Sequence, residues 1–137
     1  IFSLLTTSVL QTLIYKPMRI LSFVFITFLF FSCTKNKLGG NSFIKGRVKH
    51  HEKIITKASV FIKFNAKEFP GADTTKYDAK VRVDAVGNYL IKCYKGDYFL
   101  YAFGFDYGID PPYYVKGGLS AHLRNNETTE LDLGVTE

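Results

Sequence analysis

The sequence predicts an all-β protein: a seven-stranded antiparallel β-sandwich preceded by an N-terminal signal helix. Three observations lead there. After residue 41 the apolar residues recur with a period of two, which belongs to a half-buried strand, and not with the 3.6 of a helix. Seven short segments carry that alternation, and they are rich in β-branched and aromatic residues. Between them, Gly, Asn, Asp and Pro fall at hairpin distance.

The 137 residues suffice for one ordinary domain. The single methionine is Met18, and Arg19 follows it. Residues 1–17 therefore read as an upstream extension outside the native chain. Ile1 to Tyr15 is apolar, but 15 residues fall short of the roughly 20 that span a bilayer. Lys16-Pro17 would stop a helix there, because proline lacks the amide donor and clashes with the preceding turn. The other reading of these residues is a first membrane segment.

From Met18 the pattern is that of an export signal, over 18–32. Arg19 supplies the positive charge, and Ile20 to Phe31 is an apolar run of 12 residues, too short for a stable span. Ser32 places a small side chain before Cys33, and Thr34-Lys35-Asn36-Lys37 is polar. This ending resembles the lipobox of bacterial lipoproteins, which implies that Cys33 carries the lipid. Phe30 and Phe31 stand where that motif more often has leucine and a small residue. A plain secretory signal or an uncleaved anchor is the alternative. With Cys33 lipidated, Cys93 has no disulfide partner in the chain.

Residues 33–41, with Gly39-Gly40, read as a tether, since paired glycines are flexible. The sandwich is expected over 42–137. Its strands, in order, are Ser42 to Lys49, Ala58 to Phe64, Lys80 to Ala85, Tyr89 to Cys93, Tyr98 to Phe105, Leu119 to Leu123 and Glu130 to Val135. Ala58, Val60, Ile62 and Phe64 share one face, as do Tyr89, Ile91 and Cys93. Tyr98 to Phe105 is apolar throughout and reads as a central strand. Residues 65–79 have room for one turn of helix.

Part of this pattern is more specific. Gly46 and Val48 lie in the opening strand, and Ala58 and Val60 in the second. Asp84, Gly87 and Tyr89 follow, then Gly96, Tyr98 and Ala102. Together these residues resemble the carboxypeptidase regulatory-like domain, a transthyretin-like sandwich of bacterial envelope proteins. The resemblance covers nearly all of Phe43 to Val135. Lys95 replaces the proline that usually precedes the glycine, and Thr56-Lys57 precede Ala58 where proline is customary. The physical roles of these residues agree with it. Asp84 is placed to accept backbone N–H bonds in a turn that Gly87 completes. Gly96 takes a conformation that side chains avoid. Tyr89 and Tyr98 fill the space between sheets, with hydroxyls that reach an edge.

The search for chemistry yields no catalytic residue, no metal site and no cofactor. His50-His51-Glu52 are consecutive, and neighbouring strand residues point to opposite faces. They cannot converge on a zinc ion, which needs three or four ligands. They read as solvated hairpin residues, with His122 alone in a late strand. The carboxylates Asp73, Asp78, Asp84, Asp106 and Asp110 lack the close spacing of a calcium loop and read as turn and surface residues. Cys93 reads as a small buried hydrophobe. The loop Phe105 to Gly118 is the candidate ligand or partner site, through Phe105, Tyr107, Asp110, Tyr113 and Tyr114, because tyrosine anchors beside acids suit recognition. The alternative is that these rings cap the open end of the sandwich.

Without Lys16 and Arg19, the basic residues exceed the 12 acidic ones by four, and no run of like charge exists. That balance, with no nucleic-acid motif, argues against nucleic acid as a partner. The expected protein is a lipid-anchored, non-catalytic module of the bacterial cell envelope. It would be anchored at the outer membrane and face the periplasm, with the membrane and an envelope protein as its partners. The alternatives are a structural or adhesion subunit that pairs through edge strands, and a small metal-dependent hydrolase using His50, His51 or His122.

Overall fold

The computed structural model describes residues 37–137. The expected signal helix, the upstream extension and Cys33 lie outside the described residues. The strands in order are β1 (Leu38–His50), β2 (Lys53–Ile54), β3 (Ala58–Phe64), β4 (Ala79–Arg82), β5 (Asn88–Cys93), β6 (Gly96–Phe105), β7 (Tyr114–Leu123), β8 (Thr128–Glu130) and β9 (Leu133–Gly134). A single 3-10 turn, Thr74–Lys76, interrupts the β3–β4 connection.

The strands form two sheets. In the first, β1 pairs antiparallel with β5 and β2, and parallel with β8 and β9. The second is antiparallel in the order β4-β3-β6-β7. The all-β sandwich is thus present, with two differences from the expected seven antiparallel strands. The final expected strand is two short ones, β8 and β9, separated by Leu131 and Asp132, and a two-residue β2 closes the turn after β1. The first sheet is mixed, because the chain leaves β7 in the second sheet, crosses over, and returns alongside β1 in the same direction. The crossing is fixed where Phe43 N–H donates to the Glu127 carbonyl at 2.8 Å and Ser42 Oγ to the Arg124 carbonyl at 2.8 Å.

Alternation explains the core. Ala58, Val60 and Ile62 of β3 face inward with Tyr98, Leu100 and Ala102 of β6. Opposite them stand Ile44 and Val48 of β1, Ile91 and Cys93 of β5, and Leu133. Each fully buried aliphatic side chain contributes about 1.5–3 kcal/mol. Tyr98 is fully buried, and its hydroxyl donates to the Tyr94 carbonyl at 2.6 Å. The Tyr89 hydroxyl donates to the Leu131 carbonyl. The Cys93 thiol is inaccessible, and burial pushes its pKa up to about 11.

The tether ends earlier than expected. Leu38 and Ser42 both face Cys93 across the β1–β5 ladder, so Gly39 and Gly40 form a bulge inside β1. A bulge leaves extra residues unpaired and bends its strand. A Cβ on Gly40 would meet the Cys93 carbonyl at 2.8 Å and Tyr94 at 2.9 Å, so the glycine here serves close approach. Gly46 is tighter still, since its Cβ would lie 1.9 Å from the Leu131 carbonyl.

Candidate functional site

The outer face of the second sheet carries the most unusual surface of the domain. Along β6 the inward residues belong to the core, so Phe99, Tyr101, Phe103 and Phe105 point to the other side. A sandwich sheet normally gives that side to water. Here two segments fold onto it. The β3–β4 connection lays Phe69 against Phe99 and Tyr101, with ring centroids 5.7 and 5.5 Å apart. It also stacks Tyr77 on Tyr101 at 5.6 Å. Burial pushes the Tyr77 hydroxyl pKa up to about 12. Asp78 holds the end of this connection, accepting from Phe64 N–H at 2.7 Å and pairing with Lys63 at 3.0 Å.

The second segment is the loop singled out from the sequence. Phe105 stacks on Tyr107 at 6.4 Å, and Tyr107 meets Tyr113 at 5.7 Å. Tyr114 stacks on Phe103 at 5.9 Å. The structure therefore brings Phe105, Tyr107, Tyr113 and Tyr114 together, all exposed. It does not bring in Asp110, which is exposed and takes part only through its backbone carbonyl, an acceptor for Tyr113 N–H at 3.3 Å. Phe103 and Phe105 of β6 and Tyr114 of β7 share one ring cluster on the outer face of the sheet, and Tyr107 and Tyr113 extend it into the loop.

Between the two segments lies an open groove of about 600 Å³, lined by Lys57, Phe61, Lys80, Arg82, Phe103 and Phe105 among others. Strand register sets this composition. Arg82, Ser59, Phe103 and Lys116 are successive cross-strand neighbours, as are Lys80, Phe61, Tyr101 and Gly118. Asp84 also lines the groove, but its own turn occupies it. It accepts from Val86 N–H at 2.9 Å, from Asn88 N–H at 2.8 Å and from Asn88 Nδ2 at 3.1 Å. Those Asn88 bonds hold its carboxyl below the usual range. Gly87 completes the turn at φ 82° and Gly96 opens β6 at φ 142°.

Behind the loop sits a polar cluster that sequence reasoning missed. Asp106 and His50, read as surface residues, are 3% and 5% exposed. His50 Nδ1 lies 2.9 Å from Asp106 Oδ2, Lys53 Nζ donates to Asp106 Oδ1, and Gly108 N–H donates to the same oxygen at 2.8 Å. The Lys53 bond, then His50 and Gly108, hold the Asp106 carboxyl well below the carboxylate range. The cluster locks the β1–β2 hairpin of one sheet to the loop leaving β6 of the other. His51 is exposed at φ 51°, and His122 pairs with Asp97 at 2.7 Å. Among the described residues no hydroxyl or thiol is hydrogen-bonded to His50. Among the described residues no group of three or more His, Cys, Asp or Glu could hold a metal ion.

No protein-family model matches the chain, and no curated protein matches it. Among solved structures, it is similar to the crystal structure of a DUF3823 family protein from Parabacteroides merdae, with 20% identity and a TM-score of 0.44. The match covers 72% of this chain and 47% of that one, so this chain spans about half of that protein's length.

Proposed function

We propose that this chain is a non-catalytic binding module of the bacterial cell envelope, displayed on a lipid anchor at Cys33. The observation that carries the binding part is the outer face of the β4-β3-β6-β7 sheet. At one end of that face Phe105, Tyr107, Tyr113 and Tyr114 form an exposed ring cluster, and clustered exposed aromatics on a small domain mark a recognition site. The order Gly46, Asp84, Gly87, Tyr89, Gly96 and Tyr98, each in a structural position, supports a carboxypeptidase regulatory-like sandwich, a scaffold that presents loops. The anchoring part rests on the export pattern from Met18 to Cys33.

The test is the intact mass of the full chain purified from membranes, beside a Cys33→Ala control. The expected result is a chain that begins at Cys33 with added acyl mass, which the control lacks. A chain that keeps residues 18–32, or begins at Cys33 without acyl mass, removes the anchor from this reading.

A further inference from the structure

The groove has a charge pattern that points to a ligand class, and this inference rests on the binding reading above. Four cations on the outer face of the second sheet, Lys57, Lys80, Arg82 and Lys116, make no ion pair with a carboxylate among the described residues. Lys49, Lys53, Lys63 and Lys67 have acidic partners, whereas among the described residues Lys45 and Lys92 on the first sheet make no ion pair either, so what sets the four apart is their grouping on one ring-bearing face. Three of the four unpaired cations lie over aromatic rings of the same face. Lys57 Nζ is 4.9 Å from the centroid of Tyr107, Lys80 is 5.1 Å from Phe61, and Lys116 is 5.4 Å from Tyr114.

A lysine held over a ring keeps its full charge and loses part of its rotational freedom. The array is thus ordered before any ligand arrives, which lowers the entropy cost of binding. It is also regular. Lys80 and Arg82 are two residues apart on one strand, and Lys57 lies one row beyond Arg82, level with Phe105 and Tyr114. Rows two residues apart are spaced about 7 Å. Asp84 keeps its negative charge in the groove, but Lys57, Lys80 and Arg82 outnumber it three to one in the lining, and Asp78 is paired with Lys63.

We infer that this groove binds an acidic polysaccharide, a chain of sugar rings bearing carboxylates. Such a chain presents anions at regular intervals to Lys57, Lys80 and Arg82 in the groove and to Lys116 beside Phe103, and Arg82 can meet a carboxylate through two N–H bonds. Its C–H surfaces pack on the exposed parts of Phe103 and Phe105. The site is a groove, which fits a chain better than a flat bilayer.

The test is calorimetric titration of the full chain in detergent with polygalacturonate at low salt. Lipid attachment plays no part in it, so failure here and failure of the anchor reading are separate results. The expected result is salt-sensitive binding that a Lys80→Glu/Arg82→Glu variant weakens about tenfold or more. A Lys45→Glu/Lys92→Glu variant changes net charge equally on the other sheet and is expected to bind as the parent does. Both pairs are exposed, and unchanged circular dichroism confirms folding. Neutral dextran, a single-stranded oligonucleotide and phosphatidylglycerol vesicles serve as comparison ligands. The inference is overturned by an absence of polygalacturonate binding or by equal loss in both variants. Equal binding of dextran, or tighter binding of the oligonucleotide or the vesicles, overturns it as well.

Discussion

The two sheets turn unlike faces to solvent. On the first, β1 and β5 present Phe43, Lys45 and Arg47 against Lys92, Leu90 and Asn88, an ordinary polar surface in which apolar residues are isolated. Two of its charges have local partners, while Lys45 and Lys92 make no ion pair among the described residues. Arg47 Nε donates to Asn88 Oδ1 at 3.0 Å, and Lys49 pairs with Asp132 at 2.5 Å. On the second, every outward residue of β6 from Phe99 to Phe105 is aromatic, and four cations are grouped beside these rings without acidic partners among the described residues. A sandwich needs one apolar face per sheet. The first sheet meets that requirement and stops. The second exceeds it, with rings on its outer face as well.

Substitutions can break or sharpen this contrast. The largest effect is expected on the first sheet, where stability depends on backbone approach. Gly46→Val would drive a side chain into the Leu131 carbonyl and cost about 4 kcal/mol or more, read as a collapse of the urea midpoint. A near-normal midpoint would mean that β8 and β9 can move off β1.

Next in size is the lock between the sheets. The depressed Asp106 carboxyl contributes stability above the ordinary aspartate pKa of about 3.9, and that contribution is lost as pH falls toward its folded value. Asp106→Asn is therefore expected to lower the thermal midpoint most at neutral pH. The gap from the parent should close in acid. A gap that stays constant with pH would show that the lock works by shape alone.

The smallest pair compares the two outer faces directly. Phe103→Ala removes stacking with Phe105 and Tyr114 and is expected to cost about 2 kcal/mol by chemical denaturation. Leu90→Ala on the first sheet, at 59% exposure, should stay within about 0.5 kcal/mol. Equal costs would erase the distinction between the faces.

What the sequence revealed follows the reach of its signals. Ala58 to Phe64 was legible to the residue, because alternation is local and both ends are polar. The Asp84 turn was legible because Asp and Gly sit three residues apart and bond within five. The central position of β6 was legible from its unbroken apolar run, although the reason for that run was not. Half of it serves the aromatic face and not the core. The loop rings were found, but not Phe61, Phe69 and Tyr77, which join the same surface from distant segments. The His50–Asp106 pair spans 56 positions, and no local pattern records such a separation. The parallel return of β8 and β9 is equally non-local. Gly39-Gly40 misled, because the same glycines suit a tether and a bulge.

The parallel pairing of β1 with β8 and β9 also has a mechanical side. Leu38 begins β1, Gly134 ends β9, and the two strands run in the same direction. Tension between those residues would pull the strands past each other lengthwise, so their hydrogen bonds load together in shear and do not open one after another like a zipper. Gly46 against Leu131, and the Val135 N–H bond to the Lys49 carbonyl at 2.8 Å, lie along that sliding plane. Load applied between those two ends would be borne across the whole seam at once.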